Sequence, residues 1–216
     1  MTLQELRKKV EYGEGQTLEF KKKANYPEKI VKELVAFANS EGGHLLLGVD
    51  DDGRLSGTRE IEGEVFILEK AIQELIRPKL TYQVTIHPLN EKKGIAVFEV
   101  PESTRKPHFV RENSQTRKGQ AFVRSGHESV QASREMREIL QRRLKNRDIQ
   151  FTYGEKEKCL LEFLDKNKSI SLEEFSSLVK ISKFKASRTL IRLVLANVLD
   201  IIPSAKGDFY VLKSSN

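Results

Sequence analysis

Tryptophan is absent from this chain of 216 residues, and Cys159 is its only cysteine. A lone cysteine excludes a disulfide within the chain and a zinc site built from several thiolates. Long apolar runs are also missing, because no stretch approaches the roughly 18 residues that a membrane-spanning helix needs. Residues 1–10 are charged and lack the apolar centre of a signal peptide. These absences predict a cytoplasmic protein without membrane association. Cys159 stands among apolar residues, which predicts that it is a small core residue.

Two kinds of catalytic motif are missing as well. The chain has no Gly-x4-Gly-Lys-Ser/Thr loop, and the glycine pair at 42–43 is not followed by a lysine that could reach nucleotide phosphates. Its 4 histidines never occur at the i, i+4 spacing of a zinc-binding helix. The sequence therefore argues against ATPase activity and against a histidine zinc site.

Positive charge is the feature that the composition does supply. Lysine and arginine number 38 against 31 acidic residues, which gives a net charge of +7. Hydrophobic residues make up 38% of the chain, enough for a packed core beneath that basic surface. An excess of positive charge attracts polyanions, so nucleic acid is the first class of partner to consider.

Segment 36–53 places a helix end, two glycines, an apolar strand and an acidic turn in direct succession. Gly42 and Gly43 supply the backbone freedom that ends a helix. Residues 44–49 are apolar on both faces and too few for a second helix, which predicts a central strand. Asp52-Gly53 then predicts a turn that holds an acidic cluster at the edge of a sheet.

Helical and alternating patterns are interleaved over the first two thirds of the chain. The predicted helices are an opening helix, 28–39, 65–76 and an arginine-rich helix at 133–147, and the predicted strands are 18–21, 44–49, 82–87, 95–100 and 121–124. This layout favours a mixed α+β domain over residues 1–148. A second, smaller domain is predicted over residues 149–216.

The second domain shows three helical patterns and then a hairpin. Ser171 and Glu174 stand at capping-box spacing before the second helix, and Ser182 precedes the third. Strands are predicted at 199–202 and 209–212. Three helices followed by a two-stranded wing form the winged variant of the helix-turn-helix, whose last helix enters the major groove of DNA.

Basic residues cluster on the predicted third helix and on the tip of the wing. Such side chains can contact phosphates and base edges. The predicted nucleic-acid contacts are Lys183, Lys185, Ser187, Arg188, Arg192 and Lys206. The alternative is a winged helix that docks proteins, with these lysines and arginines as ordinary solvated residues.

Several blocks of the first domain occur together, in order and at compatible spacings, over roughly residues 10–142. They are Glu14-x4-Glu19-Phe20-Lys21, Ala36-Phe37-Ala38-Asn39-Ser40-Glu41-Gly42-Gly43, Leu46-Leu47-Gly48-Val49-Asp50-Asp51-Asp52-Gly53, Val100-Pro101-Glu102-Ser103, Lys106-Pro107-His108 and Phe122-Val123-Arg124-Ser125-Gly126. This set resembles the Schlafen AlbA-like domain. The resemblance implies a Schlafen-type mixed sheet, and its bacterial members are described as DNA-binding or transcriptional regulators, often with a C-terminal winged helix.

Some animal members of that family are metal-dependent endoribonucleases, and their catalytic carboxylates map by motif onto Glu14, Glu19 and Asp50. The resemblance thus implies a Mg²⁺ or Mn²⁺ site at these residues, and hard oxygen ligands suit both ions. Glu14 would have to fold back from the Gly13–Gly15 turn to reach Glu19. The alternatives are an ordinary turn at 50–53 and an ordinary surface ion pair at Glu19.

Lys21 follows Glu19 on the same side of the predicted strand. A carboxylate next to an ammonium could bind a metal ion and stabilise phosphate charge, so Lys21 joins the candidate catalytic set. Arg124, on a later strand, joins the candidate nucleic-acid contacts.

The first interpretation is therefore a DNA-binding transcriptional regulator that needs no cofactor for binding. The alternative is a Schlafen-like endoribonuclease that acts on structured RNA such as tRNA. Animal relatives pair two such lobes into a groove, so this single lobe predicts a homodimer, which would also suit a two-fold DNA site. The choice between DNA and RNA stays open in the sequence.

Overall fold

The computed structural model describes residues 2–113, 115–143 and 153–213. The chain divides into two units, Met1–Val130 and Gln131–Asn216. Within the described residues, no helix is long and apolar enough to cross a membrane.

The first unit interleaves helices with short and long strands, as an α+β layout predicts. Its helices are α1 (Leu3–Val10), α2 (Pro27–Asn39) and α3 (Ile61–Leu75). Its strands are β1 (Leu18–Lys21), β2 (Gly42–Leu47), β3 (Thr58–Arg59), β4 (Ile76–Arg77), β5 (Gln83–Asn90), β6 (Lys93–Pro101), β7 (Phe109–Arg111), β8 (Gly119–Gln120), β9 (Phe122–Ser125) and β10 (Glu128–Gln131).

The main sheet is mixed and is built around β6. Strand β1 runs parallel to β2, with Glu19 opposite Leu45. Strand β2 and the short β3 pair antiparallel with β6, and β5 pairs with β6 as the predicted hairpin. Two smaller sheets, β4-β7-β8 and β9-β10, complete the unit.

Apolar side chains cover both faces of the main sheet because successive strand residues point to opposite sides. Leu45 and Leu47 of β2 pack into a cluster with α2 and α3. Leu46, which lies between them, packs on the other face with Leu6 of α1 and Phe20 of β1. The apolar run of β2 is thus explained by burial on two sides, as predicted for a central strand.

The junction between α2 and β2 depends on glycine and on a buried asparagine. Gly42 has a φ of +81°, and a Cβ there would lie 2.8 Å from the backbone nitrogen of Glu102. At the end of α2, the Asn39 side-chain amide donates to the carbonyls of His108 and Phe122, and its oxygen accepts the His108 N–H. These bonds tie the helix end to the residue before β7 and to β9, the strand that carries Arg124.

The second unit contains four helices and a three-stranded sheet among its described residues. The elements are α4 (Arg134–Arg143), α5 (Glu155–Lys166), β11 (Ile170–Ser171), α6 (Leu172–Leu178), α7 (Lys183–Leu195), β12 (Leu199–Ile202) and β13 (Phe209–Leu212). Ser171 and Glu174 form the predicted capping box of α6. Strands β12 and β13 pair as the predicted hairpin, and β11 adds to the outer edge of β13.

The predicted domain boundary at residue 148 differs from this division of the chain, and α4 is the reason. Ile139 of α4 is fully buried in one apolar cluster with Leu190 of α7 and Tyr210 of β13. The arginine-rich helix assigned to the first domain by sequence therefore packs with the second unit. The end of that predicted helix, at 144–147, lies outside the described residues.

Candidate nucleic-acid interface

Helix α7 presents a narrow exposed stripe in which every side chain is basic or aromatic. Its exposed residues are Lys183, Phe184, Lys185, Arg188 and Arg192. The remaining residues of the helix up to Val194 are buried, because the apolar positions recur at the helical period and face the core. The stripe therefore results from the same periodicity that packs the helix.

The lysines of this region differ in how they are paired. Lys183 binds Glu173 of α6 at 2.8 Å, and this partner holds the pKa of the Glu173 carboxyl below its ordinary value. Lys185 has no carboxylate within 4 Å among the described residues. Lys206 is exposed in the turn between β12 and β13, where the Ser204 hydroxyl accepts its backbone N–H at 3.1 Å. Lys185 and Lys206 are thus free to meet an anion.

Ser187 is placed differently from the prediction. Its side chain is buried, with 5% of the residue exposed, and its hydroxyl donates to Glu135 of α4 at 2.6 Å. Helix α4 lies against this side of α7, so Ser187 is a packing contact and does not face a ligand. The sequence could not show this contact, because it joins residues 52 positions apart in the chain.

Helices α4 and α7 enclose a basic cleft of about 290 Å³. It is lined by Arg134, Glu138, Arg142, Phe184, Arg188 and Arg192. The guanidinium carbons of Arg134 and Arg188 lie 5.9 and 5.7 Å from the centre of the Phe184 ring, within the range of cation–π contacts. Among the residues that the structure describes, Glu138 is the only carboxylate in the lining, and it pairs with Arg142 at 3.1 Å.

Arg134, Arg142 and Phe184 were not among the predicted contacts. The arginine-rich pattern of residues 133–147 is visible in the sequence, but the packing that brings this helix to α7 is not. Phe184 stands between Lys183 and Lys185 at the start of the third helix. An aromatic residue between two lysines was the sequence feature that could have indicated a nucleic-acid contact at this position.

In the first unit, the structure brings Glu19, Lys21 and Arg124 together. Lys21 Nζ donates to Glu19 Oε1 at 2.5 Å, and Arg124 Nη1 donates to Glu19 Oε2 at 3.1 Å. Both oxygens of Glu19 are therefore engaged by cations. The alternative, an ordinary surface ion pair at Glu19, does not describe this arrangement, since only 8% of the Glu19 side chain is exposed.

Arg124 is fully buried and is surrounded by acceptors from several segments. Its guanidinium donates to Glu33 Oε2 at 2.7 Å and to the Gly15 carbonyl at 2.6 Å. It also donates to the Ser129 hydroxyl, which in turn donates to Glu33. Burial raises the pKa of the Glu33 carboxyl, while Ser129 and Arg124 oppose that shift. In this structure Arg124 reaches no external ligand, because its side chain has no exposed surface.

Glu14 and Asp50 occupy different surroundings. Glu14 does return toward β1, since its Oε1 accepts the Phe20 N–H at 2.8 Å. Asp50 follows β2 at the predicted place, and its Oδ1 pairs with Lys22 at 2.9 Å. The hydrogen bond from Lys22 lowers the pKa of Asp50.

The carboxylates of the predicted metal set have separate partners in the structure. Across residues 2–113, 115–143 and 153–213, no group of three or more histidine, cysteine, aspartate or glutamate side chains is arranged to hold a metal ion. Glu19 is instead neutralised by Lys21 and Arg124, and Asp50 by Lys22. The metal-ion set of Glu14, Glu19 and Asp50 therefore stays a prediction that the geometry described here does not support.

The mixed sheet of the first unit lies in a part of the chain that matches a known family. The sequence model of the family described as Schlafen, AlbA_2 matches residues 14–133, which is more than half of the chain. The chain therefore belongs to the Schlafen, AlbA_2 family. Membership indicates a nucleic-acid-binding protein. No curated protein matches the chain.

Two solved structures show weak similarity to the chain. One is the N-terminal domain of a RecG-related protein from Nitrosomonas europaea, at 21% identity and a TM-score of 0.41, covering 53% of this chain and 83% of that one. The other is the DIP2311 protein from Corynebacterium diphtheriae, at 17% identity and a TM-score of 0.44. It covers 92% of this chain, which spans only 38% of the length of that protein.

Proposed function

We propose that this chain is a DNA-binding transcriptional regulator whose second unit acts as a winged helix. In this proposal α7 is the reading helix and the β12–β13 hairpin is the wing. The observation that carries it is the exposed stripe of α7, in which every side chain is basic or aromatic. A solvated helix that served only packing would normally mix acidic and neutral residues on its outer face.

Each residue of the stripe has a chemistry that suits DNA. Lys185 lies in the first turn of α7, where backbone N–H groups also favour phosphate. Arg188 and Arg192 follow at helical spacing and can donate two hydrogen bonds to guanine or to a phosphate. Lys206 at the tip of the hairpin would meet a neighbouring phosphate. Lys183 would first have to leave Glu173.

The proposal is tested with a double variant that removes charge from the stripe. We expect Lys185→Gln with Arg188→Gln to weaken binding of duplex DNA by at least about tenfold, since one specific arginine contact alone contributes about 1–3 kcal/mol. Lys158→Gln with Lys166→Gln, two exposed positions of α5, removes the same charge elsewhere and should retain nearly full affinity. Fluorescence anisotropy with labelled duplex DNA and with tRNA measures both. Equal affinity of the two double variants would refute the role of α7.

The homodimer remains part of the proposal. Two copies would present two α7 helices to a two-fold DNA site, with spacing set by the dimer. Light scattering should give about twice the chain mass of 24.8 kDa at micromolar concentration. A monomer under those conditions would contradict this part alone.

The nuclease prediction has its own test. Purified protein is incubated with tRNA in Mn²⁺ and in EDTA, alongside a Glu14→Gln variant, which removes one predicted ligand at an exposed position. Cleavage that requires the metal and disappears in Glu14→Gln would establish an enzyme. Binding without cleavage is expected for the regulator.

A further inference from the structure

The cleft between α4 and α7 has a composition that duplex recognition does not require. Four of its lining residues are arginines, and they surround one phenylalanine. Arg134, Arg188 and Arg192 have no carboxylate within 4 Å among the described residues, and only Arg142 is paired, with Glu138. The lining thus carries three uncompensated positive charges around an aromatic ring.

Phe184 lies on the exposed side of α7, and 54% of its surface is accessible to solvent. The guanidinium carbons of Arg134 and Arg188 lie 5.9 and 5.7 Å from the centre of its ring, near the outer limit of cation–π distance. A flat aromatic surface beside arginines is the arrangement that binds unpaired nucleotides, because each base can stack on the ring while its phosphate meets the guanidinium groups. Base pairs inside a duplex offer no free base face.

The position of α4 is fixed well enough to keep this cleft open. Ile139 is fully buried in the core of the second unit, and Glu135 accepts the hydrogen bond from Ser187. The hydroxyl of Ser133, which precedes α4, accepts the Met136 N–H at 2.9 Å and donates to Asp208 of the hairpin turn. The arginines of α4 are therefore carried on a helix anchored along its inner side.

We propose that the α4–α7 cleft binds an unpaired nucleotide of single-stranded nucleic acid, with the base on Phe184 and the phosphates on Arg134, Arg142, Arg188 and Arg192. The cleft volume of about 290 Å³ suits one nucleotide unit rather than a longer segment. The inference rests on the proposed nucleic-acid binding and names a second form of ligand for it.

The test uses the full chain and three labelled probes. They are a thymidine oligonucleotide, an abasic oligonucleotide with the same number of phosphates, and a blunt duplex. The variants are Phe184→Ala, Phe184→Trp and, as a matched control, Phe66→Ala, which removes a ring that is 68% exposed on α3. Thermal unfolding of each variant checks that the fold is intact.

We expect Phe184→Ala to bind the thymidine oligonucleotide about tenfold more weakly, since the change removes the aromatic surface on which a base stacks. Affinity for the abasic strand should change little, and Phe184→Trp should keep or raise affinity for the thymidine strand. Arg142→Gln should weaken the thymidine and abasic strands alike, with Lys166→Gln as its charge-matched control.

Two results would overturn the proposal. One is equal affinity of Phe184→Ala and Phe66→Ala for the thymidine strand, and the other is an equal loss for all three probes. If wild-type protein binds the duplex and Phe184→Ala has no effect on the single strand, only this inference fails. If wild-type protein binds none of the probes or tRNA, the proposed function fails and this inference with it.

Discussion

The guanidinium of Arg124 is enclosed by groups from separate segments of the first unit. Glu19 comes from β1, Glu33 from α2, Ser129 from β10 and the Gly15 carbonyl from the turn before β1. A buried cation between two carboxylates is tolerated because its charge is compensated and both of its terminal nitrogens donate hydrogen bonds. Its Nε has no hydrogen-bond partner among the described residues. Arg124 thus connects elements that are distant in sequence, and this structural role differs from the predicted contact with nucleic acid.

Replacing Arg124 by glutamine should destabilise the protein strongly. The change leaves Glu33, whose side chain is 21% exposed, without its cation and leaves Glu19 with Lys21 alone, and removing one partner of a buried charged group costs about 3–5 kcal/mol. Chemical denaturation followed by circular dichroism measures the free energy of unfolding. Arg117→Gln, at an exposed position, is the matched control and should be nearly neutral. An unchanged midpoint in Arg124→Gln would contradict the structural role.

His108 is a second residue whose surroundings lead to a testable prediction, here about the pH dependence of stability. Its Nδ1 lies 3.0 Å from the Pro78 carbonyl, which can only accept, so this nitrogen carries the proton and Nε2 accepts from the Ser103 hydroxyl. Burial lowers the pKa of His108 from its ordinary value of 6.5, and the nearby Arg105 and Lys106 lower it further. The folded state therefore favours the neutral ring.

Since the pKa of His108 is lower in the folded state, the unfolded state takes up its proton first as the pH falls. The free energy of unfolding should decrease as the pH is lowered through about 6.5, with a slope of at most about 1.4 kcal/mol per pH unit for this one group. His44, whose pKa is also lowered by burial, contributes in the same direction. His108→Gln should therefore reduce the slope. Identical slopes in wild-type protein and His108→Gln would contradict the assignment.

At the scale of elements, strands and helices with a strong apolar period were predicted from the sequence. The strand at 18–21 and the hairpin strands at 199–202 and 209–212 appear with the predicted bounds. The short strands β3, β4, β7 and β8 were missed, because two or three residues carry no period and become strands only by pairing with distant partners.

Helix α4 shows how packing decides where an element belongs. We expect Ile139→Ala to lower the free energy of unfolding by about 2–5 kcal/mol, since it empties a fully buried position between α4 and α7. Ile202→Ala, where the side chain is 46% exposed, should cost less than about 0.5 kcal/mol. Denaturant unfolding compares the two variants. Equal costs would mean that α4 does not pack as described.

At the scale of the whole molecule, the net charge of +7 leads us to expect that binding of nucleic acid depends on salt. Each phosphate contact releases counterions, so the logarithm of the binding constant should fall linearly with the logarithm of salt, by about 0.9 per contact on duplex DNA. Anisotropy titrations at increasing sodium chloride measure this slope. The charge-removing double variant of α7 should show a shallower slope than wild type. A binding constant that does not change between low and moderate salt would contradict nucleic-acid binding by the basic stripe of α7.

The sequence by itself determined the α+β layout, the three helices and the hairpin after residue 154, and the family, because periodicity and motif order are local properties of the chain. It also determined the basic stripe of α7, since the core-facing period fixes which residues remain outside. Only the tertiary structure decided that Arg124 pairs with Glu19 and that Arg134 and Arg142 join Phe184. Such groupings bring together side chains from distant segments, and no local pattern records which segments will meet.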